Sequence, residues 1–289
     1  MKKTIIFDGD SWVFGSEIVD PILIDKYGTE VHSGTYSHKE ENDNYRIPKI
    51  FPTLLGEKFD SNVINLSWPA DDNGTILNRT ITYITTNYIA KGLPTDDLLV
   101  IVGWSSPERN FFWYKDEKWS YRFRLWPNHQ LSENDEQKKF AELYISYFWN
   151  EEEYLPRYVM NVIQLQNFCT VNNIKWLCFN SFYQVPDKNP VDWNDLNTRK
   201  ELSKLDLKYL PYFSSITNNR LNYGIEYNSL WNLVDDIRFY KKNEQNNTFK
   251  SVMEMTLGDK AYNGWHPSLE SHKMWSDELY DYITKNNLI

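Results

Sequence analysis

Cysteine is nearly missing from this chain, which has two in 289 residues, Cys169 and Cys178. Two thiols cannot supply a disulfide framework, and neither stands at a metal-ligand spacing from any of the five histidines. Both read as reduced core residues. Positive charge is also short: 31 Lys and Arg face 40 Asp and Glu, a net charge of -9. Such a surface repels a phosphate backbone, so nucleic acid is excluded as the default partner. Long apolar runs are missing as well. No stretch approaches the roughly 20 residues that span a bilayer. The opening MKKTIIFDGD has only three apolar residues before Asp8, too few for a secretory signal. The expectation is a protein of the cytoplasm, or of the particle if the source is a virus, that engages neither membrane nor nucleic acid.

What is abundant is aromatic. Phe, Trp and Tyr make up 16% of the chain, with 12 Trp and 20 Tyr. The mean hydropathy of -0.64 therefore does not signal disorder. At this length a sizeable core can be buried, and one large domain with insertions is expected. Strand-like and helix-like segments alternate along it. Residues 3–8, 63–66, 98–103 and 174–179 are apolar runs of strand length. Between them Ile76, Leu77, Ile81, Ile84 and Tyr88 recur at helical spacing, as do Tyr158, Val162, Leu165 and Cys169. Leu269, His272, Trp275, Leu279 and Ile283 mark one face of a closing helix. This rhythm predicts an α/β fold, a parallel sheet between two helical layers.

Three stretches break the rhythm and read as insertions: residues 16–50, 110–135 and 181–225. The first is polar and turn-rich. The second carries FFWYKDEKWSYRFRLW, residues 111–126, whose aromatics are expected to pack on their own domain, with a subset facing carbohydrate as a hypothesis. The third is rich in Asn, Asp, Pro and Tyr and shows no repeat. No linker divides the chain.

The first strand delivers IIFDGDSWVFG, and with it two different nucleophiles. Asp8 and Asp10 form an Asp-x-Asp motif after an apolar strand, which resembles the first motif of haloacid-dehalogenase-type phosphotransferases. That resemblance implies a magnesium-dependent reaction at Asp8, but Trp12 stands where a small hydroxyl residue is expected. The late segment GDKAYN, from Gly258, ends on Asn263 in place of a second carboxylate. The other nucleophile is Ser11. Gly9-Asp10-Ser11-Trp12 resembles block I of the SGNH (GDSL-type) hydrolases. A chance Gly-Asp-Ser occurs in about one chain in ten of this size, so the later blocks carry the comparison.

Those blocks follow in order. Asn65 to Asn73, NLSWPADDN, resembles block II, with Ala70 at the position of a glycine whose N–H binds the oxyanion. Alanine keeps that donor in place only if its φ stays negative. Gly103-Trp104-Ser105-Ser106 stands where block III is expected, with Ser105 replacing the oxyanion asparagine. Gly264-Trp265-His266-Pro267, ahead of an amphipathic helix, matches the terminal D-x-x-H-P segment except that Asn263 replaces the aspartate.

By that resemblance the fold is three-layer α/β/α and flavodoxin-like, with no cofactor and no metal. Ser11 attacks an ester carbonyl, and His266 is the general base. Asn263 orients the ring, or Asp259 does, or the pair works as a dyad. The N–H groups of Ser11 and Ala70, with the Ser105 hydroxyl, hold the oxyanion. Replacing a triad Asp by Asn is worth about 10⁴ in rate, and losing one oxyanion donor about 10² to 10³. Esters of small acyl groups are the implied substrates, including O-acetyl groups on a glycan.

Other polar residues have plainer readings. Asp10 orients the nucleophile loop. Asp71 and Asp72 start a helix. A helix beginning near Ser16, or within the next segment, is expected to turn its N-terminus toward the site. Arg109, after block III, clamps an anionic group or caps a helix. His272 is packed, and His32, His38 and His129 lie in irregular segments without paired ligand spacing. A rival to the esterase is a non-catalytic descendant of the same fold that binds glycans or serves as a structural module.

Overall fold

In the computed structural model of the chain, the residues described are 2–27, 39–115, 120–125, 137, 139–140, 143–144, 147, 151–181, 233–240, 248–250, 253 and 266–289. The chain gathers into two compact units. Met1–Ser106, Gln164–Gln184 and Asp235–Ile289 form the first, and Pro107–Ile163 with Val185–Val234 the second.

The elements follow in order as β1 (Thr4–Asp8), α1 (Ser11–Phe14), α2 (Pro21–Tyr27), α3 (Glu40–Arg46), α4 (Phe51–Lys58), β2 (Asn62–Asn65) and α5 (Asn73–Asn87). After them come β3 (Leu98–Trp104), β4 (Asn110–Lys115), β5 (Ser120–Leu125), α6 (Glu151–Val171), β6 (Lys175–Asn180) and α7 (Leu269–Lys285). Short 3₁₀ turns, Ile47–Lys49 and Ile89–Lys91, lead into α4 and out of α5. Among the described residues no helix is long and apolar enough to cross a membrane.

The main sheet has the order β2-β1-β3-β6, with all three pairings parallel. A segment around Phe239 extends it past β6 through a parallel bridge to Cys178. The strands β1, β3 and β6 read as apolar runs because both of their faces are covered, while the edge strand β2 is only half-buried. On one face Ile5, Phe7, Leu99, Ile101, Leu177 and Phe179 pack with Phe51 and Leu55 of α4 and with Trp275, Leu279 and Ile283 of α7. Those three α7 side chains are fully buried, and each contributes roughly 1.5 to 3 kcal/mol of transfer free energy. The opposite face meets α5, where Arg79 and Thr80 bond Asp8, and the end of α6, where Cys169 feels Cys178. The architecture is thus three-layer α/β/α, as the alternation predicts.

Helix ends are set by local chemistry. Asp72 caps α5 by accepting from Thr75 N–H at 2.8 Å, and Ser268 caps α7 by accepting from Ser271 N–H at 3.2 Å. Asp71 does not cap; it pairs with Arg79. Both cysteines are free and buried. Burial pushes the Cys169 thiol up to about 12 and raises Cys178 as well.

The stretches read as insertions contain regular structure. Residues 16–50 hold α2 and α3; both are seven residues long, too short to show a full apolar period. The aromatic stretch after β3 contains the antiparallel β4–β5 hairpin, with Phe112 opposite Phe123 and Tyr114 opposite Tyr121. Its strands are rich in aromatics, a composition that suits strands. No helix starts at Ser16: α1 starts at Ser11, where Asp10 accepts from Trp12 N–H at 3.0 Å and caps it, and α2 starts at Pro21.

Candidate active site

The chain runs from β1 to β2 on one side and then to β3 on the other, so the strand order reverses between β1 and β3. In an open parallel sheet the loops leaving the strand ends at such a point diverge and leave a crevice. Gly9, Asp10 and Ser11 leave β1 there, and Ser105 and Ser106 leave β3.

Close packing explains the glycines. A Cβ on Gly9 would lie 2.3 Å from Val13 Cγ2 and 2.8 Å from the Gly103 carbonyl. A Cβ on Gly103 would lie 2.6 Å from Val13 Cγ2 and 2.7 Å from Phe179 Cζ. The two strand ends therefore touch through Val13, and α1 sits directly over them. Ser11 is its first residue, 6% exposed. After one turn Gly15 ends the helix in the left-handed region, with φ 79°.

Asp8 is not an available nucleophile. It is fully buried, accepts from Gly9 N–H and Thr80 Oγ1 at 2.7 Å each, and pairs with Arg79, which also bridges to Asp71. Burial raises its carboxyl, and Arg79, Thr80 and Gly9 N–H oppose that rise. Among the described residues no group of His, Cys, Asp and Glu could hold a metal ion.

Ala70 takes a φ of 68°. The negative φ expected for it is not found: the turn between β2 and α5 keeps a glycine-like backbone, which costs an alanine about 1 kcal/mol. Trp68 N–H donates to the Gly9 carbonyl at 3.2 Å, tying this turn to the strand that carries Ser11. The Trp68 side chain is 51% exposed and meets Phe14 edge-on at 5.8 Å.

Ser105 is buried, and its Oγ has no hydrogen-bond partner among the described residues. Its backbone is gripped by Asn73, whose Oδ1 accepts from Ser105 N–H at 2.8 Å while Nδ2 donates to the Ser105 carbonyl at 3.1 Å. Asn73 therefore acts here by positioning the loop after β3. Arg109 falls in the second unit and is half-buried. Asp259 and Asn263, the two expected partners of the histidine, lie outside the described residues, as do His32, His38 and His129.

His266 enters from the far end of the chain, three residues before the start of α7 at Leu269. Its ring centroid lies 6.4 Å from that of Trp12. No hydrogen bond joins it to Ser11 Oγ among the described residues. Its Nδ1 stands 3.0 Å from Glu17 Oε1, a charge contact not aligned as a hydrogen bond. Residue-by-residue reading missed Glu17. Its only signal was a carboxylate six positions after Ser11, beyond the turn-forming Gly15.

Behind α1 lies a buried support. Arg46 donates to the Phe14 carbonyl, its guanidinium lies 3.7 Å from the Phe14 ring centroid, and it pairs with Asp43 at 2.6 Å. Asn42 donates to the Ile18 carbonyl at 2.8 Å and accepts from Asp20 N–H at 2.9 Å. His272, fully buried, accepts from Phe51 N–H at 3.3 Å on Nδ1. Burial first, then electrostatic coupling to His266 and Arg46, pushes its imidazole down to about 3. It is neutral.

Solved structures with a related chain path include esterases at low identity. The psychrotrophic esterase EstA of a Pseudoalteromonas species matches at 13% identity and a TM-score of 0.41, over 98% of each chain. A catalytic mutant of the acetylxylan esterase Axe2 from Geobacillus stearothermophilus matches at 12% identity and 0.40, over 97% of this chain and 94% of that one. A carbohydrate esterase family 2 enzyme with a carbohydrate-binding domain, from Corynascus thermopiles (Myceliophthora fergusii), matches at 10% and 0.47, over 99% of this chain and 67% of that one. No curated protein matches the sequence. A family model does, across residues 35–210, more than half of the chain, and by that match the protein belongs to DUF6071, a family of unknown function.

Proposed function

We propose that this protein is a serine esterase of the SGNH type that hydrolyses small acyl esters, with O-acetyl groups on glycans as the substrate class. The reading treats the chain as one SGNH-like domain carrying additions at 16–50, 110–135 and 181–225. One observation carries it: Ser11 begins α1 at the β1/β3 reversal, and the ring of His266, some 250 residues later in the sequence, lies beside Trp12, the neighbour of Ser11.

The chemistry follows from those groups. As Ser11 Oγ attacks the ester carbonyl, the imidazole of His266 takes its proton. The carbonyl oxygen becomes an oxyanion, received by the N–H group of Ser11 and by the hydroxyl of Ser105, whose donor has no other partner among the described residues. The C–O bond to the alcohol then breaks, and His266 returns the proton to the departing oxygen. Water, deprotonated by His266, attacks the acyl-serine, releases the acid and restores Ser11. Trp68, 51% exposed, is an aromatic side chain of the kind on which a sugar ring stacks.

The test is turnover of p-nitrophenyl acetate together with labelling by a fluorophosphonate. An active esterase shows both signals, and Ser11→Ala removes both. The second reading, a glycan-binding module without catalysis, is favoured by the missing hydrogen bond between Ser11 Oγ and His266. It predicts neither signal from a folded chain that still binds acetylated oligosaccharide.

A further inference from the structure

The structure assigns Glu17 as the carboxylate that orients His266 and supports its charged form, in place of the acid expected three residues before the histidine. This rests on the esterase reading for its purpose but not for its geometry. The sequence offers Asn263 at the family position, and a carboxamide cannot balance an imidazolium. Glu17 brings a full negative charge to the Nδ1 side of the ring, with Oε1 at 3.0 Å. That leaves Nε2 free for the serine proton.

Three features set this contact apart from a chance surface pair. Glu17 is 8% exposed, and its Oε2 has no hydrogen-bond partner among the described residues. A buried carboxylate without compensation is costly, so a partner for its charge is required. His266 is the cation-forming group against it. The backbone is strained too. Among the described residues, five other than glycine have positive φ: Glu17, Asp60, Ala70, Asn173 and Asn287. Asp60, Asn173 and Asn287 follow the ends of α4, α6 and α7, where Asp and Asn tolerate the left-handed region. Glu17, with φ 67°, has no such excuse, and strain of this kind persists where surrounding structure enforces it.

The enforcing structure is visible. Gly15 and Glu17 both turn left-handed, so the chain folds back over α1 immediately after one helical turn. From α3, Arg46 binds the Phe14 carbonyl before this turn, and Asn42 binds Ile18 and Asp20 after it. The polar stretch that interrupts the α/β rhythm thus clamps the loop bearing Glu17 from both ends. Among the described residues, His272 from α7 couples electrostatically to His266 and stays neutral at the pH of interest, and Arg46, which also acts on His272, is committed to Asp43 and to the Phe14 carbonyl.

Glu17 acts as a positioning residue, because it touches the histidine and no reacting atom. Its test is the tautomer of the neutral His266 ring, read from its side-chain ¹⁵N chemical shifts in the unmodified protein and in Glu17→Gln and Glu17→Asp. Glu17→Gln is expected to move proton population from Nδ1 toward Nε2, and Glu17→Asp to restore part of the Nδ1–H form. In turnover of p-nitrophenyl acetate, Glu17→Gln lowers kcat by roughly 10² to 10⁴. It leaves KM near its original value. Unchanged His266 ring shifts in folded Glu17→Gln overturn the assignment. So does a change produced by Asn263→Ala or Asp259→Asn and not by Glu17→Gln. The ring shifts read the pair even if the chain hydrolyses nothing, so a failed esterase assay with a changed His266 tautomer sinks the enzyme reading alone.

Discussion

Asn73 holds Ser105 by both of its backbone polar groups, accepting from the N–H at 2.8 Å and donating to the carbonyl at 3.1 Å. A single carboxamide on the first turn of α5 thereby fixes the loop that leaves the end of β3. Because all of these groups are buried, Asn73→Ala leaves an amide and a carbonyl without partners. The expected loss is about 2 to 4 kcal/mol, measured by urea unfolding. A change below about 0.5 kcal/mol would show that the loop is held by something else.

The turn at Ala70 is the reverse case, a position where the present residue is the wrong one for the backbone. Relief of left-handed strain is worth about 1 to 2 kcal/mol, and glycine gives back about 0.4 to 1 kcal/mol through the entropy of the unfolded chain. Ala70→Gly is expected to raise Tm by about 1 to 3 °C, and Ala70→Val to lower it. A fall in Tm for the glycine variant contradicts the observed φ.

Arg79 answers two buried carboxylates, Asp8 and Asp71. Arg79→Leu removes the cation that both carboxylates face, and a destabilisation of about 3 to 5 kcal/mol is expected. Adding Asp8→Asn to that variant should return part of the loss, since one buried negative charge is then gone. Additive losses in the double variant would rule out the coupling.

His272 makes a prediction about acid. Its folded pKa, about 3, lies below the unfolded value of 6.5, so only the unfolded chain takes up this proton as pH falls between those values. The stabilising contribution is therefore complete above pH 6.5 and lost progressively down to about 3. The slope approaches about 1.4 kcal/mol per pH unit. His272→Phe removes this component, so the pH dependence of its unfolding free energy should be flatter between pH 6 and 4. Parallel curves for the two proteins would mean that the histidine is not kept neutral.

The two thiols give the cheapest check on the core. With Cys169 pushed up to about 12 and Cys178 raised by the same burial, neither forms thiolate at neutral pH. Ellman's reagent should detect no thiol in the native protein and two after denaturation in urea. Rapid reaction of either in the native state argues against the packing of β6 on α6.

Much of this molecule was legible before any coordinates. Four apolar runs became β1, β2, β3 and β6 within a residue or two; in β1, β3 and β6 the run reflects burial on both faces. The three long helices showed in the 3.6-residue period of Ile76 to Tyr88, Tyr158 to Cys169 and Leu269 to Ile283. The short α2 and α3 were not legible, since one or two turns do not display a period. The β4–β5 hairpin lay hidden in an aromatic stretch that read as an insertion.

What the order of residues determined by itself was the layered fold and the strand ends from which Ser11 and Ser105 emerge, both products of local pattern. The neighbours of His266 were decided only in three dimensions. Its contact with Glu17 spans nearly the whole chain and depends on two left-handed turns, a clamp from α3 and the docking of α7. None of these leaves a periodic trace. A charge pair made by tertiary packing has no spacing rule in the sequence, because the distance between its partners along the chain carries no information about their distance in space.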